Sequence, residues 1–237
     1  NMQTIRTNNQ PPEKTSSDGA TVEVHSLFET IQGEGPFTGI PCVFIRLAGC
    51  NLSCPLCDTE YTSTRNKMTF REVALQVSAY SHHSLIVITG GEPFRQNVAG
   101  LTRELIDEGW NVQIETNGTI YDENFPYDSP RSTIVCSPKT RQIHAKLAPH
   151  IDAMKYVVEE GHIDPVDGLP TRILGYARKA APIPPHLKGT DSIYIQPLDY
   201  GESNEEGNKV NTRLATKICM EYGYRLCLQT HKFAGLP

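Results

Sequence analysis

The chain has 237 residues, of which 38% are hydrophobic and 21% are charged, and this composition excludes a chain that is disordered throughout. Lys and Arg total 22 against 27 Asp and Glu, so the formal net charge is −5. The sequence contains no block of basic residues of the kind that would predict a nucleic-acid-binding surface. No apolar run is long enough for a transmembrane helix and no secretory signal follows the N-terminus, so we predict a cytoplasmic protein without membrane contact.

The first part of the chain differs in composition from the rest. Residues 1–21 are polar and rich in Asn, Pro and Ser, which predicts a disordered tail, and residues 22–237 are predicted to form a single domain. Within that domain, β-rich runs lie at 22–28, 42–47, 85–89, 111–115, 133–136, 152–158, 191–195 and 224–228.

Helical patterns lie between several of these runs. One begins with a capping box at Thr69, a second extends from about Asn97 to just before Gly109, and a third covers about 205–222. The stretch 159–190 contains five prolines and predicts only a short helix. Strands that alternate with helices indicate parallel βαβ units and therefore an open sheet or a barrel.

Three of the seven cysteines form a C-x3-C-x2-C triplet, Cys50, Cys54 and Cys57, directly after the predicted strand at 42–47. An odd number of cysteines with this clustering favours a metal or cluster site over a disulfide framework. Three thiolates on one loop can hold three irons of a [4Fe–4S] cluster and leave the fourth iron open to a small molecule. The alternative is a zinc-stapled binding domain, which would need a fourth Cys or His ligand nearby.

Polar or glycine-rich segments follow the predicted strands. Gly90-Gly91-Glu92-Pro93 comes after the continuous apolar run at 85–89, and two glycines there would let the backbone approach a ligand closely. Similar polar segments follow four further strands, at 115–118, 137–139, 196–199 and 229–232. Because ligands of such folds gather at the carboxyl ends of parallel strands, these segments together predict a binding site.

The cysteine triplet and the Gly-Gly-Glu-Pro segment resemble the radical S-adenosylmethionine superfamily. Further segments resemble the 7-carboxy-7-deazaguanine synthase family, from about residue 22 to the last residue: Thr30-Ile31-Gln32-Gly33-Glu34-Gly35, Phe44-Ile45-Arg46, Cys57-Asp58-Thr59, Ser137-Pro138-Lys139, Gln196-Pro197-Leu198-Asp199 and Gln229-Thr230-His231-Lys232 with Leu236-Pro237. The resemblance implies an α/β fold, a partial (β/α) barrel of the radical SAM type with parallel strands and the cluster at their carboxyl side.

The resemblance also implies an activity. The family converts 6-carboxy-5,6,7,8-tetrahydropterin to 7-carboxy-7-deazaguanine with release of ammonia, as a lyase of 7-deazapurine and queuosine biosynthesis. The implied cofactors are a [4Fe–4S] cluster, S-adenosyl-L-methionine and Mg²⁺, and the implied partners are the pterin, a one-electron donor such as flavodoxin, and a second copy in a homodimer. The alternative is another radical SAM enzyme such as a glycyl-radical activase, which would not need the Gln-Gly-Glu-Gly segment at 32–35.

Carried over position by position, the resemblance assigns site residues. Cys50, Cys54 and Cys57 would bind the cluster, and Thr59 would bind Mg²⁺. Residues expected around S-adenosylmethionine are Leu56, Asp58, Gly91, Ser137, Pro138, Lys139, Gln196, Pro197, Leu198 and Asp199. Residues expected around the substrate are Ile31, Gln32, Gly33, Glu34, Arg46, Thr89, His231 and Pro237, the last through its α-carboxylate. Leu56 stands where many superfamily members have an aromatic residue, so only an aliphatic contact with the adenine is expected there.

Overall fold

The computed structural model describes residues 8–16, 19–80 and 82–237, in which nine strands form one sheet. In chain order they are β1 (Thr21–Ile31), β2 (Pro41–Leu47), β3 (Asn66–Thr69), β4 (Leu85–Gly90), β5 (Asn111–Thr116), β6 (Ser132–Cys136), β7 (Ala153–Val158), β8 (Ile193–Pro197) and β9 (Arg225–Leu226). Their order across the sheet is β3-β1-β2-β4-β5-β6-β7-β8-β9. β1 is antiparallel to β2 and β3, whereas β2 and β4 to β9 are parallel.

Four α-helices accompany this sheet in the described residues: α1 (Phe70–Ser78), α2 (Val98–Asp107), α3 (Glu205–Tyr222) and α4 (Thr230–Phe233). The expected capping box at the start of α1 is confirmed. The Thr69 hydroxyl accepts a hydrogen bond from the Glu72 amide at 3.2 Å, and the Glu72 carboxylate accepts one from the Thr69 amide at 2.7 Å. α3 ends at Tyr222 and is followed by Gly223, whose φ of +76° is in the left-handed region that glycine favours.

Helices cover only part of the parallel sheet. α1, α2 and α3 precede β4, β5 and β9, respectively, whereas the connections after β5, β6 and β7, all within the described range 82–237, contain no α-helix. Within the proline-rich stretch 159–190, the helical structure is a single 3₁₀ turn, Pro185–Leu187. The prediction of an α/β fold with parallel strands and an incomplete barrel is confirmed, because the sheet ends in two free edges, β3 and β9.

β4 lies at the centre of the core and is buried on both faces. Ile86 and Ile88 pack with the helices in the main hydrophobic cluster, while Leu85 and Val87 pack on the other face with Cys42. This two-sided burial explains the continuous apolar run, since a strand covered on one face only would alternate. In the described residues no helix is both long and apolar enough to cross a membrane.

Two short elements were not expected from the sequence. β3 pairs with β1 and is largely exposed, so its residues carry no apolar alternation that would reveal a strand. The strand predicted at 224–228 is limited to Arg225–Leu226, and α4 follows it. Thr230 donates its amide hydrogen to the Gly33 carbonyl at 3.1 Å, a long-range contact that sequence periodicity does not encode.

Residues 8–16 differ from the predicted disordered tail, because they lie against the cysteine loop. The Asn8 amide donates to the Pro55 carbonyl at 2.8 Å, and the Glu13 amide donates to the Cys50 carbonyl at 2.7 Å. Polar composition predicts disorder when a segment has no apolar surface to bury, but this segment is held by hydrogen bonds to another loop. Residues 1–7, 17 and 18, which also belong to the predicted tail, lie outside the described residues.

Candidate active site

The cysteine loop follows β2 directly. Cys50 and Cys54 are buried, and Cys57 is partly buried at the edge of a cavity. Burial raises the pKa of the Cys50 thiol to about 12 and that of Cys57 to about 11. Iron binding therefore has to displace the thiol protons, as it does at any thiolate site.

Two glycines let the loop after β4 lie directly against the cysteine loop. Gly90 has a φ of +132°, and a Cβ at this position would lie 2.1 Å from the Leu47 carbonyl oxygen. A Cβ at Gly91 would lie 2.0 Å from the Gly49 carbonyl oxygen and 2.8 Å from the Cys50 Cβ. Only glycine fits at both positions, so this part of the Gly-Gly-Glu-Pro segment shapes the site by close backbone approach.

Glu92 joins the loops that follow β4 and β5. Its buried carboxylate accepts hydrogen bonds from the Phe94 amide at 3.1 Å, the Thr116 hydroxyl at 2.8 Å and the Asn117 amide at 2.7 Å. Burial raises the pKa of Glu92 to about 7, against the opposing effect of these three donors. The Asn117 side-chain amide in turn faces the Cys50 sulfur at 4.0 Å.

At least two of the three sulfurs of the loop lie farther apart than the thiolates that bind a single zinc ion. In the described residues, the thiols of Cys50, Cys54 and Cys57 are not a group of ligand atoms within 4.8 Å of one another. A tetrahedral zinc ion with Zn–S bonds of about 2.3 Å would bring its thiolates to about 3.8 Å from one another. Thiolates that bind three different irons of a cubane are farther apart, so the loop fits a [4Fe–4S] cluster.

A cavity of about 340 Å³ lies where the carboxyl ends of the parallel strands meet the cysteine loop. It brings together most of the predicted site residues: Ile31, Gln32, Glu34, Arg46, Leu56, Cys57, Asp58, Thr59, Thr89, Gly91, Ser137, Lys139, Gln196, Pro197, Leu198, Asp199, His231 and Pro237.

Four predicted residues do not line this cavity. Cys50 and Cys54 are buried in the cysteine loop, and Pro138 lies in the sequence between two lining residues, Ser137 and Lys139. Gly33 packs against His231, where a Cβ would lie 2.0 Å from the imidazole Nδ1. Gly33 therefore contributes space for His231.

Two polar side chains in the cavity wall have donors without partners. Arg46 Nε and Gln32 Nε2 are buried and make no hydrogen bond to any described residue. Gln32 is oriented by its Oε1, which accepts from the Glu34 amide at 3.1 Å, and the Arg46 guanidinium lies over the Phe28 ring at 5.5 Å. Burial lowers the pKa of Arg46, but a guanidinium remains charged. Buried donors of this kind indicate a ligand that carries acceptor atoms.

A buried ionic group also lines the cavity and includes two residues that the sequence analysis did not assign, Lys155 and Glu115. The Lys155 ammonium contacts the Glu34 carboxylate and also donates to the Glu115 carboxylate at 2.9 Å. Burial lowers the Lys155 pKa, but the two carboxylates outweigh it, and the pKa is well above its usual value. Burial also opposes ionisation of both carboxylates, yet Lys155 lowers the pKa of Glu34, while that of Glu115 is raised.

A sequence signal for Lys155 did exist. Lys155 is the one charged residue within the otherwise apolar β7 segment Ala-Met-Lys-Tyr-Val-Val. A charge inside a buried parallel strand needs a partner, and such residues concentrate at functional sites. Glu115 lies at the carboxyl end of β5, two strands away from β7 across β6, and begins one of the polar segments already noted, but its pairing with Lys155 depends on sheet order.

The segment after β9 closes the cavity. Gln229 donates to the Glu34 carboxylate at 2.8 Å, and the Pro237 carbonyl accepts from the Thr30 hydroxyl at 3.1 Å. Burial lowers the pKa of His231 despite the nearby Glu34 carboxylate, which favours the neutral form of the imidazole. Neutral imidazole can both donate and accept a hydrogen bond.

Comparisons with known proteins agree with this geometry. Residues 44–127 match the Radical SAM superfamily. The chain is 42% identical over 223 residues to 7-carboxy-7-deazaguanine synthase from Rhodospirillum rubrum, covering 91% of this chain and 92% of the relative. It is 38% identical over 234 residues to the synthase of the same name from Rickettsia prowazekii, covering 93% and 91%.

Among solved structures, QueE from Escherichia coli has the same fold. The two structures superpose with a TM-score of 0.65 at 23% sequence identity, over 89% of this chain and 95% of that chain. With two relatives matched over most of their length and the superfamily match spanning the cysteine loop, the chain belongs to the 7-carboxy-7-deazaguanine synthase family of radical S-adenosylmethionine enzymes.

Proposed function

We propose that the protein converts 6-carboxy-5,6,7,8-tetrahydropterin to 7-carboxy-7-deazaguanine with release of ammonia. The observation that carries this proposal is the pair of unpartnered buried donors, Arg46 Nε and Gln32 Nε2, in a cavity bordered by Cys57. When bound, the [4Fe–4S] cluster and S-adenosylmethionine supply the radical that removes a hydrogen atom from the substrate. The protein's own residues have to bind the pterin, orient it and control its protons.

In this proposal Arg46 binds the substrate carboxylate. A guanidinium presents a planar fork of donors that matches a carboxylate, and contact with Phe28 limits its orientations. The free Gln32 amide hydrogens suit the ring acceptors of a pterin, while the Glu34 carboxylate suits its amino group. Release of ammonia requires protons on the departing nitrogen, and Lys155 Nζ and the Glu115 carboxyl group can hold protons at the cavity wall.

The residues proposed for S-adenosylmethionine lie on the side of the cavity that borders the cysteine loop. Leu56 and Asp58 belong to that loop, and Gly91 lies against Cys50. The Lys139 ammonium donates to the Ser137 carbonyl at 2.8 Å, which orders the 137–139 segment. Together with residues 196–199, these groups provide both apolar and charged contacts for a zwitterionic sulfonium nucleoside.

Mg²⁺ is proposed to bind at Thr59. Its hydroxyl lies 3.3 Å from an Asp58 carboxylate oxygen, and both residues line the cavity, so two oxygen donors are available to a hard cation. Turnover should then fall in excess chelator and return with Mg²⁺, whereas Thr59→Ala should weaken this dependence without loss of cluster absorbance. Equal turnover with chelator and with Mg²⁺ would exclude this site.

The family resemblance supports three further parts of the proposal. They are a homodimer, a one-electron donor such as flavodoxin, and a cytoplasmic location, with residues 22–237 acting as one catalytic unit. Size-exclusion chromatography with light scattering tests the homodimer. Reduction of the cluster by candidate donors tests the one-electron donor.

The deciding experiment is anaerobic turnover of 6-carboxy-5,6,7,8-tetrahydropterin by the reconstituted protein, followed by chromatography of the product. Arg46→Gln should lower kcat/KM about 10- to 100-fold, because a charge-assisted hydrogen bond is lost, and Arg46→Lys should recover part of it. Both variants should retain the cluster. A protein that loads the cluster and cleaves S-adenosylmethionine but leaves this pterin unchanged would favour another radical SAM reaction, such as activation of a glycyl radical enzyme.

A further inference from the structure

Residues 8–16 lie along the cysteine loop and contact it repeatedly. Besides the two backbone bonds given above, Asn8 donates its side-chain amide to the Cys54 carbonyl at 3.0 Å, and the Ser53 hydroxyl donates to the Gln10 carbonyl at 2.8 Å. The carbonyl groups of Cys50 and Cys54, two of the three proposed cluster ligands, thus each accept a hydrogen bond from this segment.

Gln10 connects the segment to the loop after the third cysteine. Its Nε2 donates to the Thr59 carbonyl at 2.9 Å, and its Oε1 accepts from the Tyr61 amide at 2.8 Å. One side chain therefore holds the backbone on both sides of Glu60. The Asn8 Oδ1 accepts from the Gln10 amide at 3.0 Å, so the two side chains form one connected unit.

Glu13 anchors the other end of the segment through charge. Its carboxylate lies 3.4 Å from the buried Arg95 guanidinium and also contacts Arg65. Arg95 further donates to the Lys14 carbonyl at 3.0 Å and to the Ala48 carbonyl at 2.9 Å, just before the cysteine loop. Because the Arg95 side chain is only 3% exposed, loss of Glu13 would leave its charge less compensated.

We propose that residues 8–13 form a positioning segment that holds the cysteine loop in its cluster-binding geometry and limits solvent access to the thiols. The inference rests on the proposed function for the identity of the cluster, but the contacts that carry it are those of the protein alone. Backbone carbonyls on the loop would otherwise depend on water, and an open loop would expose Cys50 and Cys54.

Thiol alkylation of the cluster-free full chain tests this inference. Under native anaerobic conditions, Gln10→Ala should speed modification of Cys50, Cys54 and Cys57 about fivefold or more, since both hydrogen bonds between the Gln10 side chain and the loop backbone are lost. Hydrogen exchange at the Tyr61 amide should rise with it, because Gln10 is its acceptor. Cys42, fully buried at the start of β2, should react at an unchanged rate and so reports any general loss of stability.

Asn8→Ala and Asn9→Ala form a matched pair for the same assay. Asn8 contacts the loop, whereas Asn9 is exposed and makes no hydrogen bond within the described residues. Asn8→Ala should speed alkylation as Gln10→Ala does, and Asn9→Ala should match the wild type. In the reconstituted protein, the same order should appear in the rate at which cluster absorbance bleaches in air.

The outcomes separate this inference from the proposed function. Equal loop-thiol alkylation in Gln10→Ala, Asn8→Ala and wild type would overturn the positioning role, whatever the protein's activity. A simultaneous rise at Cys42 would also overturn it, because the segment would then act on overall stability. Faster loop alkylation in a protein that does not turn over the carboxytetrahydropterin would uphold the positioning role and reject the proposed reaction.

Discussion

The two walls of the cavity are built in different ways. The cysteine wall consists of loops in direct backbone contact: the cysteine loop, the glycines after β4 and the segment 8–13. The charged wall, formed by Lys155, Glu34 and Glu115, consists of side chains that are distant in sequence, since Lys155 is 121 positions from Glu34 and 40 from Glu115. The first wall depends on close approach of the backbone, and the second depends on a balance of buried charges.

The two walls should respond differently to the loss of a single side chain. On the cysteine wall, a lost sulfur removes a ligand that nothing nearby can replace. On the charged wall, one ammonium serves two carboxylates, so its loss leaves like charges buried together. We therefore expect the first wall to fail in iron content and the second to fail in folding stability.

The largest effect is expected from Cys54→Ala. Iron content and turnover should both be lost, because one of the three irons that the cysteines bind would have no thiolate ligand. Cys42→Ala is the matched control: this thiol is buried away from the loop, so its loss should cost only about 1–2 kcal/mol of stability and leave iron content intact. Iron analysis and absorbance near 400 nm measure both. Retained iron and S-adenosylmethionine cleavage in Cys54→Ala would contradict the cluster assignment.

A smaller but still large effect is expected from Lys155→Met. Removal of one partner from a buried ionic group should lower the free energy of unfolding by about 3–5 kcal/mol in urea titrations near pH 8. Lys217→Met, at an exposed position on α3, is the control and should change it by less than about 0.5 kcal/mol. An equal, small change in the free energy of unfolding of both variants would show that Lys155 does not compensate the buried charges of Glu34 and Glu115.

The pH dependence of Lys155→Met sharpens this test. In the wild type, Lys155 lowers the pKa of Glu34, so that contribution is present above the unfolded-state pKa and is lost as pH falls through the lower folded value. Without Lys155, burial of the two carboxylates and their mutual repulsion raise their pKa values, and the Gln229 hydrogen bond to Glu34 opposes this only in part. The variant should therefore be closest to wild-type stability near pH 5 and should lose stability as pH rises.

The smallest of these effects is expected from Glu92→Gln, on the cysteine wall. The substitution replaces one carboxylate oxygen by an NH2 group, which cannot accept the hydrogen bond from the Asn117 backbone amide. Near pH 5, the free energy of unfolding of the variant should therefore be about 1–2 kcal/mol lower than that of the wild type. The wild-type pKa is raised from 4.5 to about 7, so the wild type itself loses stability as pH rises across that interval. The difference in unfolding free energy between the wild type and Glu92→Gln should thus become smaller by pH 8. A difference that does not depend on pH would contradict the raised pKa of Glu92.

Much of the fold was readable from local patterns. The continuous apolar run at 85–89 predicted a strand, and the capping box at Thr69 predicted where α1 begins. The same is true of the cysteine wall, because three ligands within eight residues are a local signal. The short edge strand β3 and helix α4 carried no such signal, since both are stabilised mainly by contacts with distant segments.

The sequence by itself determined the chemistry available to this protein: a thiolate triplet, a glycine-rich turn and polar residues after parallel strands. Only the tertiary structure decided which charges pair. Lys155 contacts Glu34 and Glu115 because of the order of the strands in the sheet and because the segment after β1, which contains Glu34, lines the cavity. The tertiary structure also decided that the polar residues 8–13 are ordered. Hydrogen bonds to loop carbonyls leave no periodic trace in a sequence, whereas burial of apolar side chains does.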